Sequence, residues 1–299
     1  MTKLRYTQIY LYVFLCAILI TLLNPDIPQS YLIIALALAV TVLGLPHGAL
    51  DFAVAKSLRL VDSLNAALYF ITAYVAVSAL AIIFWIAFPA LGLALFLAVS
   101  IYHFSADWRN TMPSYAGIGL AAVIICGPAI FYSATLLTLF TSLLLSPESA
   151  KWIIQSMQLV FGVGIVMFLH FVVSAAQNKR RDKKQDKQTI GKWTYAEWIA
   201  LVVSSLILSP LLHFALYFCL LHSPKHLHDA SENLNISVRK AIIISLPFVL
   251  LTLILAIVLF KLVGTSELNV TLLRWVFIGL FGLTMSHMLL ITLWHRSQR

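Results

Sequence analysis

Charge is scarce in this chain. Of 299 residues only 10% are charged, 20 Lys or Arg against 11 Asp or Glu, whereas 61% are hydrophobic. A mean hydropathy of +0.95 stands far above that of an ordinary soluble domain and identifies an integral membrane protein. Strand-type alternation of apolar and polar residues is missing, which excludes a transmembrane barrel. Apolar runs of roughly 20 residues, the length that crosses a bilayer as a helix, recur from end to end and leave no room for a soluble domain. The expected fold is therefore all-α, a polytopic integral membrane helical bundle of about 8–10 transmembrane helices forming a single membrane domain over 1–299.

Other absences narrow the chemistry. There are only three cysteines, Cys16, Cys126 and Cys219. All lie in apolar runs without CxxC spacing, as small core residues rather than disulfides or zinc ligands. No glycine-rich phosphate loop, serine-base-acid arrangement or basic nucleic-acid surface is present, so no nucleic-acid partner is expected. The HExxH helix of intramembrane zinc hydrolases is also absent, and no Glu lies beside a histidine to act as base. The first apolar run, flanked by Lys3 and Arg5, meets no small-residue cleavage site before Asn24-Pro25 and reads as a retained helix.

The apolar runs predict helices near 6–24, 31–52, 64–88, 91–108, 115–133, 151–176, 238–263 and 271–295. Residues 134–147 are too short to span. The 194–226 stretch is too long for one ordinary span and is interrupted at Ser209-Pro210, where proline removes a backbone donor. Basic residues accumulate on the cytoplasmic side. With a cytoplasmic N-terminus, the second and fourth helices deliver Lys56, Arg59 and Arg109 there, together with a basic cytoplasmic loop at 177–193 that carries Lys179-Arg-Arg-Asp-Lys-Lys-Gln-Asp-Lys187. Residues 134–147 then lie along, or re-enter, the outer surface. A hairpin bent near Pro210 returns Lys225, Arg239, Lys240, Arg296 and Arg299 to the cytoplasm. These choices describe a multi-pass protein of the cell (inner) membrane and bring His47, His103, His222 and His226 to its cytoplasmic half.

What the chain does contain is a set of polar pairs set into hydrocarbon: His47-Gly-Ala-Leu-Asp51, His103-Phe-Ser-Ala-Asp107 and His222-Ser-Pro-Lys-His226. On a continuous α-helix a spacing of four stacks two side chains on one face. Imidazole is the commonest transition-metal ligand, and histidines from several helices can surround one ion in a bundle core. Asp51 and Asp107 are placed to accept a histidine's second N–H and fix its tautomer; direct ligation and solvation of a helix end are the other readings. The bland alternative for each histidine is a hydrogen bond gluing neighbouring helices. Four histidines with paired neighbours near one membrane face favour a metal. His287 can serve as a fifth ligand, a donor to a ligand or a substrate contact, whereas His213, nine residues before His222, reads as packing. Phe104, Tyr217 and Phe218 suit a greasy substrate channel, Phe218 most of all because it lies one turn before His222. A histidine set without cysteine suits Fe, Cu, Zn or Ni, and softness alone does not choose.

Gly44-Leu-Pro-His-Gly-Ala-Leu-Asp51, His103-Phe-Ser-Ala-Asp107, Tyr217-Phe-Cys-Leu-Leu-His-Ser-Pro-Lys-His226 and Ser286-His-Met288 resemble the ordered motifs of the Brp/Blh family of membrane β-carotene 15,15′-dioxygenases. The resemblance spans nearly the whole chain. It implies an Fe(2+) enzyme that uses O2 to cleave β-carotene at its central double bond into two all-trans-retinal, a chromophore for a retinal-binding rhodopsin. Carried over by motif, the iron ligands and catalytic residues fall on His47, His103, His222 and His226. Two positions depart from the motifs: Ser105 stands where glycine is expected, and Ser286 where proline is usual before His-Met. Two other classes remain beside the enzyme. One is a histidine-lined metal or proton transporter, which should place polar groups at successive depths from both faces. The other is a catalytically degenerate rhodopsin-assembly protein.

Overall fold

The computed structural model of the protein describes residues 3–24, 27–181, 191–263 and 267–297; at His47, at 178–181 and at parts of 255–263 and 295–297 the side chains lie outside that description. Among the described residues every regular element is a helix. Six are long and apolar enough to cross a membrane: Lys3–Leu23, Leu64–Ala87, Pro89–Trp108, Ser114–Phe131, Pro147–Gln177 and Leu268–Trp294. A further candidate is the pair Pro210–Asn233 and Val238–Ile254, bent by 110°. The chain is thus an all-α polytopic membrane bundle, and the centre of its basic loop, 182–190, lies outside the described residues.

The helix expected at 238–263 is present as Val238–Val263, whereas the second expected span and the 194–226 stretch are divided by breaks. The second expected span is divided into Gln29–Ala39, a wider π-helical turn at Val40–Gly44, a short Leu45–Gly48 helix and a new helix at Asp51–Ser57. Proline at 46 causes part of this, since its ring lacks an N–H and crowds the carbonyl of the preceding turn. Lys192–Ile207 stops at Leu208, and Pro210 opens the next helix at its first turn, so the interruption expected at Ser209-Pro210 is present. Ser133–Ser142 has 10 residues, too few to span.

The helices pack into two compact units, Met1–Ile27 with Ala94–Thr141 and Ser146–Tyr217, and Pro28–Leu93 with Ser142–Leu145 and Phe218–Arg299. In the first, the Ser114–Cys126 and Pro147–Arg181 helices cross at two glycines. A Cβ on Gly119 would lie 2.8 Å from the carbonyl oxygen of Gly164, and one on Gly164 equally close to that of Gly119. Small residues let membrane helices approach closely where lipid supplies no hydrophobic drive. In the second unit, Leu64–Ala87 packs along Leu268–Ser297. The Ser78 and Ser286 hydroxyls share a 2.7 Å hydrogen bond across this contact, and Ser286 Oγ donates to the Tyr74 carbonyl at 2.9 Å. The 142–145 link of the same unit is pinned by Arg274 Nε on the Ser142 carbonyl and Trp85 Nε1 on that of Leu143.

Candidate metal centre

All three histidine motifs straddle either a helix break or a change of helix type. His47 lies on the short Leu45–Gly48 helix, and a separate helix begins at Asp51. His103 lies in the last turn of Pro89–Ser105, while Asp107 belongs to the 3-10 turn Ala106–Trp108. His222 closes the π-helical Leu216–His222, and His226 lies on Ser223–Asn233. None of the three pairs therefore lies on one uninterrupted α-helix, and a spacing of four does not by itself stack their side chains on one face. Both π segments run directly into X-Pro, Leu45-Pro46 and Ser223-Pro224. Widened turns of this kind relieve proline's clash and occur often at functional sites.

In the second unit three imidazoles stand in series. The His222 and His226 rings are 5.8 Å apart and the His226 and His287 rings 5.3 Å apart, between centroids. His226 and His287 each offer a ring nitrogen within 4.8 Å of the other's. His222 and His287 are buried. The Phe218 ring stacks on His222 at 5.8 Å and 19°, and Gly44 makes room for it: a Cβ there would lie 2.7 Å from Phe218 Cε1. Asp51, also buried, places Oδ1 at 2.7 Å from His287 Nδ1 and accepts the Tyr74 hydroxyl on Oδ2 at 2.7 Å. A carboxylate on Nδ1 holds the proton there and leaves Nε2 as the lone-pair nitrogen, the arrangement that orients metal-binding histidines. Asp51 thus reaches an imidazole 236 positions away in sequence. His47 belongs to this unit, and its side chain lies outside the described residues.

The first unit holds the second motif. His103 is buried beside Phe104, with ring centroids 5.7 Å apart, and Phe104 meets Tyr217 edge to face at 5.0 Å. The Tyr217 hydroxyl donates to Asp107 Oδ2 at 2.8 Å, and its ring stacks on Trp108. Trp108 Nε1 donates in turn to Glu197 Oε1, whose other oxygen accepts from Thr7. His213, read from sequence as packing, is buried between Ser204 Oγ, 3.0 Å from Nδ1, and the Ile124 carbonyl, 2.9 Å from Nε2.

Two of these residues escaped the sequence reading. Tyr74 sits in an apolar run and carries no local signal. Glu197 could have been noticed as a carboxylate inside the apolar Trp193-Thr-Tyr-Ala-Glu-Trp198 stretch, a costly position unless it is hydrogen-bonded.

A buried histidine group of this kind can hold a metal ion: its donors are imidazole nitrogens, one of them already oriented by a carboxylate. No solved structure matches the chain. A curated relative, the "Beta-carotene 15,15'-dioxygenase" of Uncultured marine bacterium 66A03, is 29% identical over 272 residues, 86% of this chain and 91% of the relative. The family model described as "Beta-carotene 15,15'-dioxygenase" matches residues 38–295, a range that takes in all the histidine motifs and the Asp51 to His287 contact. The chain therefore belongs to the beta-carotene 15,15'-dioxygenase family.

Proposed function

We propose that the protein cleaves β-carotene at its central 15,15′ double bond with O2, giving two molecules of all-trans-retinal. Each carbon of the broken double bond takes one oxygen atom, so one O2 is consumed per carotene. The observation that carries this reading is the carboxylate-anchored imidazole of His287 beside His226, within a chain matched by the family over 38–295. The proposed metal is iron(II), held by His47, His103, His222 and His226. The donor chemistry fits it, being imidazole without thiolate. When bound, iron supplies the activation of O2 that no side chain provides.

The chain's own residues have separate tasks. Asp51 keeps the His287 proton on Nδ1, and Asp107 is held by Tyr217 in the turn that follows His103. Phe218 covers one face of His222 and keeps water from it. Phe104, Tyr217 and Phe218 are the proposed contacts of the polyene, large apolar surfaces that require no polar group on the substrate. Loop charge supports a reaction at the cytoplasmic half of the cell membrane, and the proposal takes the bilayer as the source of carotene and a retinal-binding rhodopsin as a recipient of the product. Labelling of a Q177C variant by an impermeant thiol reagent applied outside intact cells would contradict that sidedness.

Purified protein, loaded with iron(II) and given β-carotene in micelles, should yield two retinal per carotene consumed and no apocarotenal of other length, measured by chromatography. A transporter or an assembly protein would leave the carotene intact.

A further inference from the structure

His287 is aimed by more than its own helix. Starting from Leu268–Ser297, Ser286 Oγ donates to the Tyr74 carbonyl at 2.9 Å and shares a 2.7 Å bond with Ser78, which fixes the helix against Leu64–Ala87 beside the histidine. The same Tyr74 sends its hydroxyl to Asp51 Oδ2 at 2.7 Å. Asp51 Oδ1 then meets His287 Nδ1 at 2.7 Å. The loop of contacts closes through Tyr74, whose backbone holds the residue before His287 and whose side chain holds the carboxylate that grips it. All five residues lie in one compact unit. The serine at 286, where the motif usually carries proline, thus supplies a hydroxyl that the imino acid would lack.

Helix glue would need only one hydrogen bond from the imidazole. Here a charge-bearing acceptor is spent on Nδ1, which leaves the lone pair on Nε2, while the ring sits 5.3 Å from that of His226. Two nitrogens on one ion at about 2.1 Å each stand at most about 4.2 Å apart. The His226 and His287 nitrogens lie within 4.8 Å of each other, and cis or tetrahedral ligands at that bond length stand about 3.0–3.4 Å apart, so the pair can share one ion after closing by at most about 1.8 Å.

We propose that His287 is itself a metal ligand through Nε2, and that Asp51 and Tyr74 are the positioning residues that select that nitrogen. This rests on the metal-dependent reading above and adds a ligand to the set carried over from the motifs.

The test uses the full-length protein in detergent, stripped of metal and loaded with Cu(II) as the probe. Pulsed electron paramagnetic resonance then counts the coupled imidazoles and reads the quadrupole coupling of each remote nitrogen. H287N keeps an amide able to donate to Asp51 but offers no ligand nitrogen. It should show one imidazole fewer than the wild type. D51N should keep the count, change the remote-nitrogen coupling of one imidazole, and weaken iron(II) retention against a chelator about 10- to 100-fold. Y74F should shift the same remote coupling in the same direction. An unchanged count in H287N would overturn the proposal, and so would an unchanged remote coupling in D51N. The D51N and Y74F arms decide the matter even if H287N does not fold. A wild-type protein with no coupled imidazole at all would sink the metal-dependent function instead.

Discussion

His226 stands between two other imidazoles, with His222 on one side and His287 on the other. That central position makes it the most consequential single side chain of the second unit. Removing it as H226A should cut retinal formation at least about 100-fold and lower bound iron per chain, because loss of even a supporting partner costs about 10- to 100-fold in metal affinity. Metal analysis alongside chromatography checks both effects; full retinal yield in a folded H226A protein would contradict the role. At the same scale, the sequence made Asp51 legible as a carboxylate with work to do at an imidazole, but not which imidazole. Its partner is set by how helices far apart in sequence pack, and a four-residue spacing carries no record of that. The partners of Glu197 are hidden for the same reason: Thr7 and Trp108 reach it from 190 and 89 positions away.

Helices are the level at which the sequence was most legible. Apolar runs mark the six long candidate spans, and Pro210 marks a break that the structure also has. The π-helical turns at Val40–Gly44 and Leu216–His222 were not foreseen, although a proline two residues past each is their visible cause. Contact between helices follows a different logic, read from where small residues fall. Gly119 and Gly164 oppose each other's carbonyls at a distance that leaves no room for a side chain, whereas a Cβ on Gly162, two residues before Gly164 and so on roughly the opposite side of the same helix, would meet nothing within 4 Å. G119L should therefore destabilise the protein by about 1–3 kcal/mol through overpacking, and G162L should change stability little. Unfolding in mixed detergent micelles measures the difference, and equal effects of the two would mean that the helices do not cross at this glycine pair.

Across the whole molecule, burial is distributed as a membrane protein requires. Only 6% of the most apolar window of Leu64–Ala87 and 11% of that of Pro147–Gln177 is buried inside the protein, so these helices present leucine, valine and isoleucine outward to lipid. The polar side chains are withdrawn into two internal networks, one in each unit: Asp51, Tyr74, Ser78, Ser286 and His287, and Thr7, Trp108, Glu197, Asp107 and Tyr217. Composition made the membrane class plain from the start, because 10% charge and 61% hydrophobic residues admit little else. Composition gave no hint that the helices form two units, since both draw on segments from either half of the chain. The central claim, that this apolar scaffold holds iron on histidines in order to split a carotenoid, is tested most directly by oxygen labelling of the purified protein. Metal-free protein is titrated with iron(II), given β-carotene under 18O2, and sampled before aldehyde oxygen exchanges with water. Retinal should rise in step with bound iron up to a fixed stoichiometry, with both products of each carotene carrying 18O. Iron-replete protein that forms no retinal, or retinal formation equally fast without metal, would contradict the account.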